Sequence, residues 1–429
     1  MSITVRIVNL GCAKNLVDSE RIAGLLEKAG CMVTTEEEPA DCLIINTCAF
    51  IEDARKEAVE TILAGVHWKE ESKGRKLYTA GCLPQIHREA LIKELPEVDG
   101  FFGVGDYNSL VKAVTGVTVS GGDLIPRKSM TPKHYRYLRI ADGCDRKCSY
   151  CSIPNIRGNF HSRPMRELLA EAESLADEGA KEIIIIAQET CGYGVDLPEK
   201  ADLPLLLRSL NKIEGIEWIR VHYLHPPAFS EEILSAFGDN DKVLPYFDFP
   251  IEHISDKILK RMKRGITRSG IEHWIWRIRD VFPDSCLRTS LMTGFPGEDE
   301  EDFNELADFI EDIKFDRLGV FIYSLEEGTS ALNFIDTVPQ DIMFDWQTQL
   351  LDIQRNIAYL KNIAKIGDIV EIIADEISPD SEITGRTKFD SPEIDNLVCT
   401  QGAVKPGGFI KVRITDADEL NLYGDLVDE

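Results

Sequence analysis

The sequence predicts an α/β protein with an N-terminal parallel α/β domain, a central partial (β/α)6 barrel and a small C-terminal antiparallel β-barrel. Strand-like and helical segments alternate through the first two parts, which is typical of parallel sheets. The last 64 residues instead contain short strand-like runs between Gly and Pro turns. We place the parts at residues 1–118, 134–365 and 366–429, with a Gly-, Ser- and Pro-rich linker at 119–133.

The first part reads as three βα units. Strands are predicted in VRIVNLG, DCLIINTC and KLYTAGC, and helices at Ser19–Gly30, at Glu52–Ala64 and within IHREALIKELPEVD. A cysteine follows or ends each strand. Because the carboxyl ends of parallel strands share one edge of a sheet, Cys12, Cys48 and Cys82 should lie close together.

The central part contains six strand-like segments, of which the first is YRYLRIADGC. Chemistry on such a barrel should lie at the carboxyl ends of its strands. The predicted helices are Arg166–Glu178, Leu203–Ile213, Glu231–Phe237, Ser269–Phe282 and Glu301–Ile313, followed by one at about 347–365.

Composition excludes several classes of protein. The longest purely apolar run is five residues, Ile183–Ala187, far too short to span a membrane, and the N-terminus does not resemble a secretory signal. We therefore expect a cytoplasmic protein. Eleven cysteines in a reducing compartment favour metal or redox chemistry over disulfides. The net charge of −26 suits a basic partner better than a polyanion, although solubility alone can explain it.

The most specific motif is Cys144-x3-Cys148-x2-Cys151, in the loop after the first barrel strand. Three thiolates at this spacing can ligate three irons of a [4Fe–4S] cube and leave the fourth iron open. A structural zinc site needs a fourth ligand, for which His161 is the nearby candidate. Three unrelated buried thiols are the remaining alternative.

This spacing on a partial parallel barrel, with Tyr150 before the last cysteine, resembles the radical S-adenosylmethionine (SAM) superfamily. The resemblance implies that the open iron chelates the methionine part of SAM. One electron from the cluster would then cleave SAM to a 5′-deoxyadenosyl radical.

The N-terminal cysteines narrow the resemblance. The motifs LGCAKNLVDSE, NTC and AGC, around Cys12, Cys48 and Cys82, are similar to those of the methylthiotransferases. The resemblance covers essentially the whole chain and implies a second [4Fe–4S] cluster on these cysteines, which carries the sulfur to be inserted. It also implies that the C-terminal barrel is a TRAM domain.

Contacts to SAM are expected from polar and glycine residues at the ends of barrel strands. Glu252 stands where relatives commonly carry Gln, which weakens the expectation of an amide contact there. The candidate SAM-binding residues are Tyr150, Gln188, Glu189, Arg288, Gly294 and Gly297.

Two subfamilies compete, one that modifies an adenosine in transfer RNA and one that modifies the β-carbon of an aspartate in small-subunit ribosomal protein twelve. The motifs GCAKNLVDSE, TCAFIED, QETCGYGVD and SPEID resemble the second type. Residues 366–429 carry 15 acidic and 5 basic residues, a net charge of −10 that suits a basic protein and disfavours RNA.

We therefore expect a basic ribosomal protein as substrate, no direct nucleic-acid substrate, and an electron donor such as flavodoxin or ferredoxin. The transfer-RNA enzyme is the close alternative. A non-catalytic iron–sulfur electron carrier is the alternative of a different class.

Overall fold

A computed structural model describes residues 2–37, 39–119 and 125–427 of the chain. The N-terminal domain is a five-stranded parallel sheet in the order β2-β1-β3-β4-β5, covered by helices. Its elements are β1 (Thr4–Asn9), α1 (Ala13–Lys28), β2 (Met32–Thr34), β3 (Cys42–Thr47), α2 (Glu52–Glu70), β4 (Lys76–Gly81), α3 (Cys82–Glu94), β5 (Gly100–Phe102) and α4 (Tyr107–Thr115).

Helix α1 starts directly after Cys12, six residues before the predicted start at Ser19. The prediction placed the start too late because the first turns bury polar side chains, among them Lys14, Asn15 and Asp18. These residues do not fit an amphipathic pattern, and they face the central domain rather than water. The short strands β2 and β5 and the helix α4 were not predicted, since segments of this length carry little periodicity.

Only part of the predicted linker at 119–133 can be assessed, because residues 120–124 lie outside the described residues. Arg127, in the described part, is buried against Glu20 of α1 and Glu171 of the central domain. This segment is therefore held between the two domains by ion pairs.

The central domain is the predicted partial barrel, with six parallel strands in the order β13-β12-β11-β10-β9-β6. Its first half contains β6 (Tyr135–Arg139), β7 (Ala141–Asp142), α5 (Ile153–Arg157), β8 (His161–Ser162), α6 (Met165–Asp177), β9 (Glu182–Ile186), α7 (Leu203–Leu210) and β10 (Trp218–Val221). The second half contains α8 (Glu231–Gly238), β11 (Val243–Asp248), α9 (Asp256–Arg261), α10 (Arg268–Val281), β12 (Cys286–Thr293), α11 (Glu300–Ile313), β13 (Arg317–Ile322) and α12 (Gln340–Ile363).

The apolar core of the barrel lies between the sheet and its outer helices. Alternate strand residues such as Leu138, Ile183 and Ile185 face that core. Their neighbours Ile184 and Ile186 face inward, where α1 of the N-terminal domain packs on them. The N-terminal domain therefore closes part of the open barrel. Within the described residues, no helix is both long and apolar enough to cross a membrane.

The C-terminal domain is a closed five-stranded barrel in the order β14-β15-β16-β18-β17. Four of its strand pairs are antiparallel, as predicted, whereas β16 and β18 pair in parallel. Its strands are β14 (Ile369–Ile377), β15 (Glu382–Thr387), β16 (Leu397–Gln401), β17 (Phe409–Ala417) and β18 (Asn421–Leu426).

The loop between β15 and β16 contacts buried residues of the central barrel. Ser391 contacts His222 at 3.0 Å between Oγ and Nε2, and Asp395 accepts a hydrogen bond from the Tyr246 hydroxyl at 2.6 Å. Fully buried Glu182 of β9 pairs with Arg386 of β15 at 2.8 Å. Because buried charges need partners, this network fixes the C-terminal barrel on the central one.

Candidate active site

The first cysteine trio lies in the loop between β7 and α5, at the carboxyl end of the first barrel strand. Backbone hydrogen bonds hold this loop, from Cys144 N to Gly158 O at 3.1 Å and from Cys151 N to Cys148 O at 3.2 Å. Ser149 N donates to Met262 O at 2.9 Å and ties the loop to α9. The three thiols are therefore presented on a braced loop at the mouth of the barrel.

Burial changes the acidity of this trio. It raises the pKa of the Cys144 thiol, and it raises the pKa of Cys151 to about 12, with the neighbouring thiols adding to both shifts. These two thiols are therefore protonated at neutral pH unless a metal replaces the proton.

Arg264 lies against this trio and was not singled out from the sequence. Its Nη1 is 3.6 Å from Cys148 Sγ, 3.4 Å from Tyr150 Oη and 3.3 Å from His225 Nε2. The side chain is 5% exposed. Within the described part of the chain, no ion pair involves this guanidinium. In the sequence, the basic segment RMKRG at residues 261–265 could have indicated a functional arginine here.

The second trio is assembled from three separate strand ends of the N-terminal domain. Cys12 precedes α1, Cys48 follows β3 and Cys82 begins α3 directly after β4. Gly11, at φ +88°, lies so close to Cys48 that an added Cβ would be 2.7 Å from the cysteine Cβ. The parallel sheet thus brings three distant segments to one edge, with Cys12 exposed and the other two buried.

Asn15 and Arg157 connect this trio. The Asn15 side-chain amide donates to Leu10 O at 3.0 Å and to Thr47 O at 2.9 Å, which joins the loops before Cys12 and Cys48. Its Oδ1 accepts from Arg157 at 2.6 Å. Arg157 Nη2 also lies 3.9 Å from Cys82 Sγ.

Arg157 also forms two ion pairs. It pairs with Asp18 at 2.9 Å and with Asp142 at 3.2 Å, two residues before Cys144. This arginine of α5 therefore links the two cysteine trios. Burial raises the pKa of the Cys82 thiol to about 12, although Arg157 opposes the shift, and burial also raises the pKa of Cys48.

Both donor sets suit iron–sulfur cubes by their chemistry. In the described part of the chain, no three His, Cys, Asp or Glu side chains are arranged to hold a single metal ion. Each thiolate of a cube ligates a different iron, so its three ligands need not converge on one point. His161, the candidate fourth zinc ligand, is exposed, with its Nδ1 3.3 Å from Asn159 O.

In the part of the chain that the structure describes, the carboxyl ends of the barrel strands carry buried polar atoms without hydrogen-bond partners. Because buried polar groups are normally satisfied, such atoms in one mouth indicate a place for a polar ligand. Both amide atoms of Gln188 belong to this set. The others at strand ends are His225 Nδ1, Thr293 Oγ1 and Tyr323 Oη.

The other predicted SAM contacts are engaged within the protein. Glu189 is 5% exposed, pairs with Arg146 at 3.0 Å and accepts from Gly192 N at 2.8 Å. Arg288, near the start of β12, pairs with Asp248 at 2.9 Å and lies 3.5 Å from Asp395.

Gly294 and Gly297 form the turn after β12, with φ of +79° and +86°. The amide of Gly294 donates to Glu298 Oε2 at 2.6 Å. A Cβ on Gly294 would lie 2.4 Å from Met343 Cγ, so this tight turn requires glycine there.

Glu252 lies beside the first trio in a left-handed conformation, φ +71°. Burial raises the pKa of its carboxyl, although Arg264 and a hydrogen bond with Tyr150 oppose the shift. The Tyr150 ring packs edge-on against Phe295 with centroids 6.4 Å apart. Tyr150 and Glu252 thus share one pocket wall with Arg264.

The remaining cysteines lie outside both trios. Cys42 and Cys286 begin the buried strands β3 and β12. Cys31 packs in the N-terminal core, and Cys191 packs against the barrel core.

Comparison with protein families matches the three parts of the chain. Residues 4–103 match a family described as uncharacterized protein family UPF0004, residues 138–310 the radical SAM superfamily, and residues 366–427 the TRAM domain. Two solved structures share the fold. They are the radical SAM methyltransferase TsrM from Kitasatospora setae, at 16% identity over 76% of this chain and 73% of that chain (TM-score 0.55), and the cobalamin-dependent radical SAM enzyme OxsB, at 14% identity over 82% and 56% (TM-score 0.52).

Curated relatives extend over the full length. The ribosomal protein uS12 methylthiotransferase RimO of Caldanaerobacter subterraneus subsp. tengcongensis is 42% identical over 98% of this chain and 99% of its own. The protein of the same name from Thermotoga maritima is 42% identical over 99% of this chain and 100% of its own. With its radical SAM barrel and TRAM domain, this chain is therefore a radical SAM methylthiotransferase and belongs to the uS12 methylthiotransferase family.

Proposed function

We propose that this enzyme transfers a methylthio group to the β-carbon of an aspartate in ribosomal protein uS12. This is the substrate that the names of its relatives state. In this proposal, Cys144, Cys148 and Cys151 hold the radical SAM cluster. The trio of Cys12, Cys48 and Cys82 holds a second [4Fe–4S] cluster. When bound, these clusters and SAM supply the one-electron chemistry, the sulfur atom and the methyl group. A ribosomal substrate implies a cytoplasmic enzyme, and a flavodoxin or ferredoxin is the proposed electron donor.

The observation that carries the proposal is the proximity of the two trios. Arg157 contacts Cys82 and also Asp142, which directly precedes the loop of the first trio. On the other side, the Ser152 hydroxyl after Cys151 donates to Phe50 O after Cys48 at 3.4 Å. The two loops that carry the trios therefore contact each other, which supports a substrate carbon placed between them, as an enzyme that activates a carbon and then inserts sulfur requires.

The protein's own residues orient SAM in this proposal. Gln188, whose amide has no hydrogen-bond partner among the described residues, binds a polar group of SAM, and Tyr150 lines the pocket beside the cluster. Gly294 and Gly297 shape the turn after β12, where both have positive φ. Glu189 and Arg288 act through the neighbours that they already bind, since their charges are paired.

The acidic C-terminal domain supports a basic substrate. Some of its 15 carboxylates serve the fold, because Asp390 pairs with Arg317 and Asp395 lies near Arg288 of the central barrel. Those on the outer surface remain available to a cationic protein, whose capture they would accelerate. Among the described residues of this domain, the exposed acidic side chains are Asp368, Glu371, Glu376, Asp380, Glu382, Glu393, Asp416, Glu419 and Asp425.

The direct test offers uS12 and transfer RNA together to the anaerobically reconstituted enzyme with SAM and a reductant. Mass spectrometry should find one methylthio group on a uS12 aspartate and none on the RNA. Modification of an adenosine with uS12 untouched would overturn the proposal. SAM left uncleaved under these conditions would favour an electron carrier instead.

The role of the surface charge is tested separately. Reversing Asp416, Glu419 and Asp425 to Lys should slow association with uS12 and weaken its salt dependence, because exposed charges are screened over about 8 Å at physiological ionic strength. Asp418 is left unchanged, because its carboxylate accepts from Asn421 N at 2.6 Å and supports the β17–β18 turn. The matched control reverses three exposed carboxylates of the N-terminal domain, Glu57, Glu60 and Glu89. Equal slowing by both triple variants would remove the C-terminal surface from the proposal.

A further inference from the structure

Lys14 is a buried cation that forms no ion pair with any carboxylate in the described part of the chain. It lies in the first turn of α1, two residues after Cys12, and is 7% exposed. Within the described residues, its ammonium takes part in no ion pair and no hydrogen bond. Its one partner is the ring of Tyr223, whose centroid lies 3.2 Å from Nζ. Burying an ammonium is costly, so such a group calls for an anion.

The position of Tyr223 places this ammonium in the mouth of the barrel. Tyr223 follows β10 at its carboxyl end, in a left-handed conformation with φ +60°. Its backbone is held by Thr190 after β9, at 3.2 Å, and by the Asp248 carboxylate at the end of β11, at 2.9 Å. The backbone of Tyr223 is therefore fixed at the strand ends, and its ring, packed against the inward face of the barrel, holds the Lys14 ammonium by a cation–π contact.

Two acidic groups on the neighbouring segments, Asp248 and Asp18, are committed elsewhere. Asp248 pairs with Arg288 and accepts from Tyr223 N, and His222 beside it is neutral because burial lowers its pKa to about 3. Asp18, one turn along α1, is paired with Arg139 and Arg157. With no carboxylate paired to it among the described residues, the Lys14 ammonium is open to an anion from a bound ligand.

We propose that the Lys14 ammonium binds the side-chain carboxylate of the substrate aspartate; this inference rests on the proposed function. In an aspartate, the carboxylate is bonded directly to the β-carbon that receives sulfur. A cation two residues from Cys12 thus holds that carbon beside the second trio. The same group selects a carboxylate-bearing substrate over a neutral base, because a neutral ligand would leave the buried charge unpaired.

SAM also carries a carboxylate, and the position of Lys14 separates the two sources. Lys14 belongs to the N-terminal domain and follows Cys12, whereas the first trio and the unpartnered Gln188 belong to the central barrel. We therefore assign the ammonium to the substrate and not to SAM. Measurements of SAM affinity test this choice directly.

The test measures binding of uS12 to the cluster-loaded enzyme without SAM or reductant, so that no turnover occurs. Two forms of uS12 are compared, one with the target aspartate and one with asparagine in its place. The wild-type enzyme should prefer the aspartate form by about 10- to 100-fold, the range expected for a buried charge-assisted hydrogen bond.

Lys14→Met should abolish this preference and bind both forms with similar Kd. Lys14→Arg should retain most of it, and Lys14→Gln serves as a second neutral variant if Met disturbs folding. Iron content and SAM affinity should stay at wild-type values in each. The matched control is Lys112→Met, at an exposed lysine of the same domain, which should keep the full preference.

Different results identify different failures. An unchanged preference in both neutral variants, or no preference in the wild type, overturns the role of Lys14 while methylthiolation of uS12 still supports the proposed function. Weakened SAM binding with an unchanged preference assigns the ammonium to SAM and also overturns the inference. If the wild-type enzyme does not modify uS12, the proposed function fails, and the inference fails with it.

Discussion

The two cysteine trios are built in opposite ways. Cys144, Cys148 and Cys151 lie within one loop, braced by backbone hydrogen bonds to its own flanks. The other trio comes from three strand ends, and Asn15 and Arg157 hold it together. Local geometry therefore determines the first trio, whereas the second depends on the whole N-terminal sheet and on its docking to the barrel.

The arginines beside the trios differ in the same way. Arg157 is neutralised by Asp18 and Asp142, so its main effect is structural. Arg264 contacts Cys148 and Tyr150 with no ion-pair partner among the described residues. Its charge therefore acts on the cluster proposed for the first trio. In the second trio, a paired arginine connects segments that are far apart in sequence. In the first trio, an unpaired arginine lies where it can shift the reduction potential of a cluster.

The largest expected effect separates the two trios by function. Replacing Cys144, Cys148 and Cys151 together with Ala should reduce iron from about eight to about four per chain and abolish SAM cleavage. The corresponding triple variant of Cys12, Cys48 and Cys82 should also retain about four irons but still cleave SAM without forming a methylthio product. Iron analysis and quantification of 5′-deoxyadenosine check both. Full iron content in the second variant would contradict the assignment of that trio.

Asp18→Asn should strongly destabilise the protein around the second trio. The Asp18 carboxylate pairs with Arg139 at 2.5 Å and with Arg157 at 2.9 Å, so the amide leaves two buried cations poorly compensated. We expect a loss of about 3–5 kcal/mol in the free energy of unfolding, measured with urea. The control is Asp53→Asn, whose exposed pair with Lys56 should be worth at most about 1 kcal/mol. Similar losses in both variants would refute this account.

Acid should weaken the docking that brings the trios together. Glu171 binds Arg127 and Arg163 and lies near Arg21 of α1. Burial alone would raise its pKa, but these arginines lower it from 4.5 to about 2. A lowered pKa contributes stability above about pH 4.5 that is lost as pH falls toward 2, here about 3 kcal/mol. The stability difference between wild type and Glu171→Gln should therefore shrink on acidification, and a constant difference from pH 7 to 3 would contradict the prediction.

The smallest effect concerns reduction potentials. Arg264→Gln should lower the midpoint potential of the radical SAM cluster, because a cation near the thiolate favours the reduced, more negative state. An interaction of about 1.4 kcal/mol corresponds to about 60 mV for one electron. Arg264→Lys should recover part of the shift, and Arg157→Lys should leave this potential unchanged. Redox titrations followed by electron paramagnetic resonance measure all three, and an unshifted potential in Arg264→Gln would show that its charge is screened.

Much of the architecture could be predicted from sequence. The spacing of Cys144, Cys148 and Cys151 indicates a cluster because the three ligands are close in the chain. The position of Cys12 at the end of a strand predicts its place at the sheet edge, since parallel strands end together. Alternating βα segments predict both parallel sheets, and turn-rich runs predict the terminal barrel.

The tertiary structure alone decided the early start of α1 and the roles of its polar residues. Lys14 and Asn15 resemble exposed residues of a helix, and only the packing of α1 into the barrel mouth makes them buried. Likewise, Arg288 pairs with Asp248 within the barrel and lies near Asp395 of the terminal domain. Partners far apart in sequence leave no periodic signal, because their energies come from contacts that exist only after the domains have docked.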